Sequence, residues 1–426
     1  MSARFATYPF EQRVRHAVGS VILAAALSLT LFSNCAKKEN VIVIWHSLRP
    51  VERQVLRAAL DEFGRRHPGW EFGELFYEPE AARSNYIISA LGGSGPALFR
   101  GANDNIGPMS ELGVIMPLES FFERATLDSF LADPLEANTW FRGHLYQIAD
   151  NIGNHLCLVY NKKLIDKPPQ TMSELIEIGK KLTVDRDGDG KPDQYALVWN
   201  YIEPFFAVPF IGGFGGWIID DSLRPTLNTP AVVQAAQLIY DLANVHKIIP
   251  LECDYEVANA LFKDGLAAMI INGPWSWGTY LDAGIDIGLA RIPKIDATGL
   301  WPSPAVQPMG YSVNVNLKGE KLRITLELLR YLTTSEMQLR FTRISGALPS
   351  RIDAFQSPDV QNNELVRASL EQLMVGRVLP PVTELRWIWD AMRPGYQAIF
   401  RGRETPAKAA ENMQKLAEKL IRENRG

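Results

Sequence analysis

The 426-residue sequence predicts an α/β fold built as two packed lobes. Three observations carry that prediction. From Val41 onward, apolar runs of strand length alternate with amphipathic stretches of helix length, and the alternation starts afresh near residues 156–160. No internal repeat or flexible linker separates the two units, which argues for lobes joined by strands that cross between them. The length suits two domains of ordinary size.

Residues 41–45 read as a buried strand. Pro50 then opens a helix, because proline fits the first helical position, and Val55, Leu56, Ala59, Leu60 and Phe63 recur on one face. Residues 71–77 form the next strand and 81–91 the second helix, which the Gly-rich stretch 92–96 stops; 97–99 is a short third strand. This rhythm predicts right-handed crossovers and a parallel sheet. In the second unit the strand 156–160 is followed by helices at 172–182 and 229–245. Residues 267–271 are then an unbroken apolar run, suited to a strand covered on both faces. Strands near 285–292 and 310–315, helices at 320–332 and 363–374, and helical segments at 383–400 and 405–422 complete the pattern, the last with an amphipathic stripe.

The N-terminal stretch reads as a targeting segment. Arg4, Arg13 and Arg15 precede an apolar and small-residue run, 18–32, that ends at Cys35, the position of a lipid attachment site. An uncleaved anchor is the alternative, since 17–36 carries no charge and a span needs ~20 such residues. Either reading places the rest of the chain outside the cytoplasmic membrane. Residues 1–35 hold three Arg and one Glu, so their removal shifts the formal charge from -4 by two units to -6. Such a chain does not seek nucleic acid by electrostatics. Cys157 and Cys253 are expected as free buried thiols in preference to a disulfide, and the six histidines show no paired ligand spacing for zinc.

Two segments carry candidate chemistry. Asn272-Gly273 breaks the strand 267–271 and Pro274 can start a helix, so Trp275 and Trp277 stand just past a strand's carboxyl end, where ligands bind in open α/β sheets. An indole there can stack on a ligand's flat face and donate its N–H, or it can simply pack. Asp185, Asp187, Asp189 and Asp193, with Gly190 at the sixth position, have the spacing of a calcium loop. Ala196 stands where a bidentate acid is needed, which leaves a structural calcium and a solvated turn both open.

Ordered motifs extend across the chain: Leu158-Val159-Tyr160-Asn161-Lys162-Lys163-Leu164, Glu203-Pro204-Phe205-Phe206, Asp254-Tyr255 leading to Phe262-Lys263-Asp264-Gly265, residues 270–277, Gly346-Ala347-Leu348-Pro349 and Trp389-Asp390-Ala391-Met392-Arg393. Together they resemble the maltose-binding branch of the family 1 extracellular solute-binding proteins, the receptors of ABC sugar importers. The resemblance implies a periplasmic-binding-protein-like fold, two lobes with a hinge and a ligand cleft between them. It divides the chain into 36–152 plus about 293–355 for one lobe and about 153–292 plus 356–426 for the other. It also implies a ligand set of Asp104, Asn105, Glu203, Phe205, Trp275, Trp389 and Arg393. Asp104 and Glu203 would accept from sugar hydroxyls, Trp275 and Trp389 would stack on the rings, and Arg393 would lie beside Trp389. Trp277 and Trp387 are expected in the core.

Departures from the pattern bear on the guest. Gly101 stands for a stacking tryptophan, Asn105 for an arginine, Phe205 and Asp390 for tyrosines, and Asn154 about where a glutamate is expected. The expected ligand is a maltose-like mono- or oligosaccharide; each missing ring removes a platform of ~1 kcal/mol, which counts against a long malto-oligosaccharide and makes a mono- or disaccharide the safer choice. The resemblance implies a monomeric, lipid-anchored, extracytoplasmic receptor with a permease partner, no nucleic acid and no required cofactor. A non-sugar solute such as a polyamine, peptide or phosphodiester is the alternative on the same fold. The paired acids would suit a glycosidase, but the resemblance is to receptors without catalysis.

Overall fold

The structure, a computed structural model, describes residues 40–132 and 136–425. The targeting segment and Cys35 lie outside the described residues. Among them no helix is long and apolar enough to cross a membrane.

Two separate mixed sheets form the centres of two lobes. The first has the order β12-β5-β11-β3-β1-β2, with β4 paired to β5. Its strands are β1 (Val41–His46), β2 (Glu71–Phe76), β3 (Leu98–Ala102), β4 (Thr139–Phe141), β5 (His144–Ile152), β11 (Met309–Val313) and β12 (Leu348–Pro349). The second has the order β7-β8-β6-β9, from β6 (Cys157–Asn161), β7 (Tyr195–Val198), β8 (Ala267–Asn272) and β9 (Ile287–Ala290). Two short strands, β10 (Ala305–Val306) and β13 (Arg377–Val378), pair in parallel where the chain passes between lobes.

The parallel pairing expected of the first three strands is observed, and the complete sheet is mixed. β1 pairs in parallel with β2 and β3, as βαβ units require, but β11 runs antiparallel to both β3 and β5. The reason is topological: β11 enters the first sheet on a return from the other lobe and not through a local helical crossover. At its bulge Gly310 presses on the Ile148 carbonyl and Ala149 Cα, a space no Cβ could share. β1 is also less covered than expected, with Ile42, Ile44 and His46 buried and Val41, Val43 and Trp45 half-buried.

Local sequence explains the elements beside the cleft. The helix Pro50–Arg66 starts on its proline, and Glu52 accepts a 3.0 Å hydrogen bond from the Arg49 N–H, closing the first turn. All six residues of β8 are buried, as its apolar run predicts. Ile42, Phe63, Leu98, Ile148 and Leu328 belong to the first core; Leu158, Leu197, Ile270, Ile239 and Trp389 belong to the second. Val360 still packs in the first core, so the final passage to the second lobe comes later than residue 355. The helices Glu384–Phe400 and Pro406–Arg425 close against the second core. Cys157 and Cys253 are free and buried.

Candidate functional site

The cleft between the lobes has a volume of about 820 Å³, and all seven expected ligand residues line it. On the first lobe, β3 ends in the 3₁₀ turn Asn103–Asn105, which carries Asp104 out past the strand's carboxyl end. The turn is tied down on both sides. The Asn103 N–H donates to the Pro308 carbonyl at 3.2 Å, and Asn103 Nδ2 donates to the Leu379 carbonyl at 3.0 Å. Asn105 Nδ2 donates to the Ala102 carbonyl at 2.9 Å and to Asp104 Oδ1 at 3.3 Å, so it holds the acid in place. Burial raises the Asp104 carboxyl above its ordinary range, while Arg386 and the Gln307 amide pull the other way. Beside it, the place of the absent tryptophan is filled from within the chain: a Cβ on Gly101 would meet the Phe99 ring at 2.6 Å.

The second lobe supplies an aromatic wall. Gly273 caps the helix Pro274–Asp282, and its missing Cβ leaves the space over which the Trp275 ring lies. Phe205, in the turn Pro204–Phe206, tilts against Trp275 with ring centroids 6.4 Å apart. Trp389 is 5% exposed and faces the cleft from the helix Glu384–Phe400. Trp277 is fully buried. The expectation that Trp387 belongs to the core is corrected: it is half-buried and joins neither core, because its helix presents Leu385, Ile388 and Trp389 inward.

Glu203 does not stand free. Arg393 grips it with two hydrogen bonds of 3.1 Å, Nε to Oε2 and Nη2 to Oε1, and also reaches Asp390 at 3.4 Å. Burial works against the Arg393 charge, and the Glu203 carboxylate more than restores it, raising its pKa. The bidentate pair offers a ligand acceptor lone pairs and guanidinium donors in one fixed plane.

Two contacts that sequence reasoning missed bridge the lobes across the mouth of the cleft. Arg49 from the first lobe lies 4.9 Å over the Tyr255 ring of the second, and Glu80 meets Arg386 at 2.5 Å. Also missed is Gln307, which lines the cleft floor at 3% exposure. A lone glutamine after a short apolar pair carries no periodic signal. Glu80 and Arg386, 306 positions apart, show their pairing only once the lobes are folded together.

The candidate cation loop lies outside the cleft. Among the described residues, Asp185, Asp187 and Asp193 bring a carboxylate oxygen each within 4.8 Å of one another, whereas Asp189 stands apart and accepts from the Lys191 N–H. Asp185 already accepts from the Gly188 and Gly190 N–H groups.

Known proteins share this architecture. A maltose/maltodextrin-binding domain from Bdellovibrio bacteriovorus, solved bound to maltotriose, is 46% identical with a TM-score of 0.87, over 90% of this chain and 100% of that one. The maltotriose-binding protein of Pyrococcus abyssi is 25% identical over 84% of this chain and 77% of its own. A maltotriose binding protein of Thermus thermophilus, 24% identical with a TM-score of 0.81 over 89% of this chain and 100% of its own, shares the fold. The expected two-lobed fold is thus the observed one. With residues 58–368 matching its description, the chain belongs to the bacterial extracellular solute-binding protein family.

Proposed function

We propose that this protein is the substrate-binding receptor of an ABC importer for maltose-like oligosaccharides. The observation that carries the reading is the single cleft in which Trp275, Phe205 and Trp389 face Asp104 and the Glu203–Arg393 pair. Aromatic faces cover the apolar side of a sugar ring while acids and a guanidinium take its hydroxyls. At about 820 Å³ the cleft lies toward the upper end of the ~300–1,000 Å³ of small-molecule sites. That size, with maltotriose held by the 46% identical domain, favours an oligosaccharide over the mono- or disaccharide expected from the missing rings.

Capture proceeds by lobe closure: ligand contacts on both walls favour the closed state over the open one. The closed receptor then presents a surface to the permease. It acts as a monomer outside the cytoplasmic membrane, held there by lipid at Cys35. Catalysis is not its role, and the grip of Arg393 on Glu203 speaks against that acid as a free nucleophile. No cofactor is required, and a calcium ion at Asp185, Asp187 and Asp193 would brace the second lobe away from the sugar.

The test is a ligand screen of residues 36–426 by tryptophan fluorescence and thermal shift. Maltotriose and related oligosaccharides are expected to shift both signals. A response confined to spermidine or peptides would refute the sugar assignment, and sugar hydrolysis in the same tubes would refute the receptor reading.

A further inference from the structure

Asp104 does not carry the polar wall alone. It is only half-buried, so a ligand can reach it. The charged groups that act on it come from both lobes: Arg386 from the helix Glu384–Phe400 of the second, and Glu80 and Arg83 from the helix Pro79–Leu91 of the first. Glu80 ties the two guanidiniums together. Its Oε2 accepts from Arg83 Nη2 at 2.7 Å, and its Oε1 accepts from Arg386 Nη2.

Two acids and two guanidiniums balance, so the cluster is neutral while the lobes are together. Arg386 is the member that the second lobe supplies, and among the charges around Asp104 it acts most strongly, favouring the carboxylate, while Glu80 opposes it and Arg83 adds less. Parting the lobes would take Arg386 away and leave the three first-lobe groups with a net charge of -1. An open cleft therefore attracts cations as well as sugars. Closure then sets a guanidinium against the same carboxylate, and an ammonium group bound there would meet it as a like charge. A sugar hydroxyl carries no charge and donates to the carboxylate without opposing Arg386.

We infer that Arg386 is a specificity-determining residue: carried in by the second lobe, its guanidinium takes the place beside Asp104 that a ligand's positive charge would need, so the lobes close on neutral hydroxyl-bearing ligands and not on cations. Selection is thereby tied to closure. The acid alone cannot tell an ammonium from a hydroxyl, since both donate. The acid with Arg386 beside it can, because one of the two donors is repelled. Glu80 has the opposite sign of effect: it adds negative charge to the cluster, and it holds Arg386 in place.

The inference rests on the oligosaccharide reading of this cleft, and the test separates the two. Wild type, Arg386→Gln, Arg386→Lys and Glu80→Gln are titrated calorimetrically with maltotriose and with a series of aminodeoxy maltotrioses, below neutral pH so that each amine is protonated. Thermal midpoints of the free proteins are recorded alongside. Wild type should bind one of the amino sugars at least about tenfold more weakly than maltotriose. Arg386→Gln should shrink that penalty several-fold, Glu80→Gln should enlarge it, and Arg386→Lys should keep it. Maltotriose titrations across acid pH add a second readout. Affinity should start to fall at a higher pH in Arg386→Gln, which loses the charge that favours ionised Asp104, and at a lower pH in Glu80→Gln, which loses the opposing one. A bridge that merely holds the lobes together would move both variants alike. Equal penalties and like pH shifts in the folded variants would overturn the role of Arg386 and leave the sugar reading standing. Wild type that binds spermidine and no sugar would overturn both.

Discussion

The two walls of the cleft are built on opposite principles. The first lobe offers polar groups: Asp104 in a turn braced by Asn103 and Asn105, with Glu80 and Arg83 beyond it. The second offers rings, Trp275, Phe205, Tyr255 and Trp389, around one bidentate ion pair. Rings bind through area and tolerate small shifts, whereas hydrogen bonds demand distance and angle. The aromatic wall should therefore set how tightly a sugar is held, and the polar wall which sugar it is.

Substitutions can break that division. Trp389→Ala should have the largest effect, and on stability first, because the ring is almost wholly buried in the second core. Such a truncation costs about 3–5 kcal/mol, read as a lower denaturant midpoint. Trp389 thus serves the fold as well as the cleft, and loss of sugar binding in that variant is not a clean measure of stacking. Asp104→Ala comes next, with a loss of about 1.5–3 kcal/mol in binding and little change in unfolding. The wild-type pH profile sharpens it. A sugar hydroxyl binds the ionised carboxylate, so affinity falls as pH drops through the carboxyl's pKa, and burial has raised that pKa above its ordinary 3.8. Binding should therefore weaken at a higher pH than an exposed aspartate would dictate, and Asp104→Asn should flatten the profile.

Trp275→Ala should weaken binding by roughly tenfold, about 1.4 kcal/mol, with the thermal midpoint nearly kept, because this ring is only half-buried. A weakening that varies strongly between sugars would blur the division between walls. Smallest is the bridge at the mouth. Glu80→Gln removes an ion pair whose side chains are 58% and 12% exposed, worth ~0.2–1 kcal/mol. It should quicken ligand release a few-fold at low salt and much less at high salt, measured by stopped-flow fluorescence.

Much of this was legible in the sequence, and what was not follows a pattern. The strand 267–271 and the helix Met172–Leu182 were plain because burial leaves a regular apolar trace. β5 was hidden because Gln147 and Asp150 interrupt its apolar run. Both are buried and satisfied, Gln147 by the Gly101 carbonyl at 3.0 Å and Asp150 by Arg100 at 2.6 and 3.0 Å. A strand that buries polar groups against partners 46 and 50 residues away shows no local periodicity. The site divides in the same way. Trp275 could be found because a tryptophan after a buried strand is conspicuous, and Asp104 through family resemblance. The Glu203–Arg393 pair and the Asn154–Gln307 bond join residues 190 and 153 positions apart, and only the folded lobes bring them together.

The most direct test of the central claim is a calorimetric titration of the wild-type protein with maltotriose. The account predicts saturable one-to-one binding with a Kd of order micromolar, about -8 kcal/mol. Absence of saturable heat for maltotriose and for every other malto-oligosaccharide, up to millimolar concentration and with the protein folded, would contradict it.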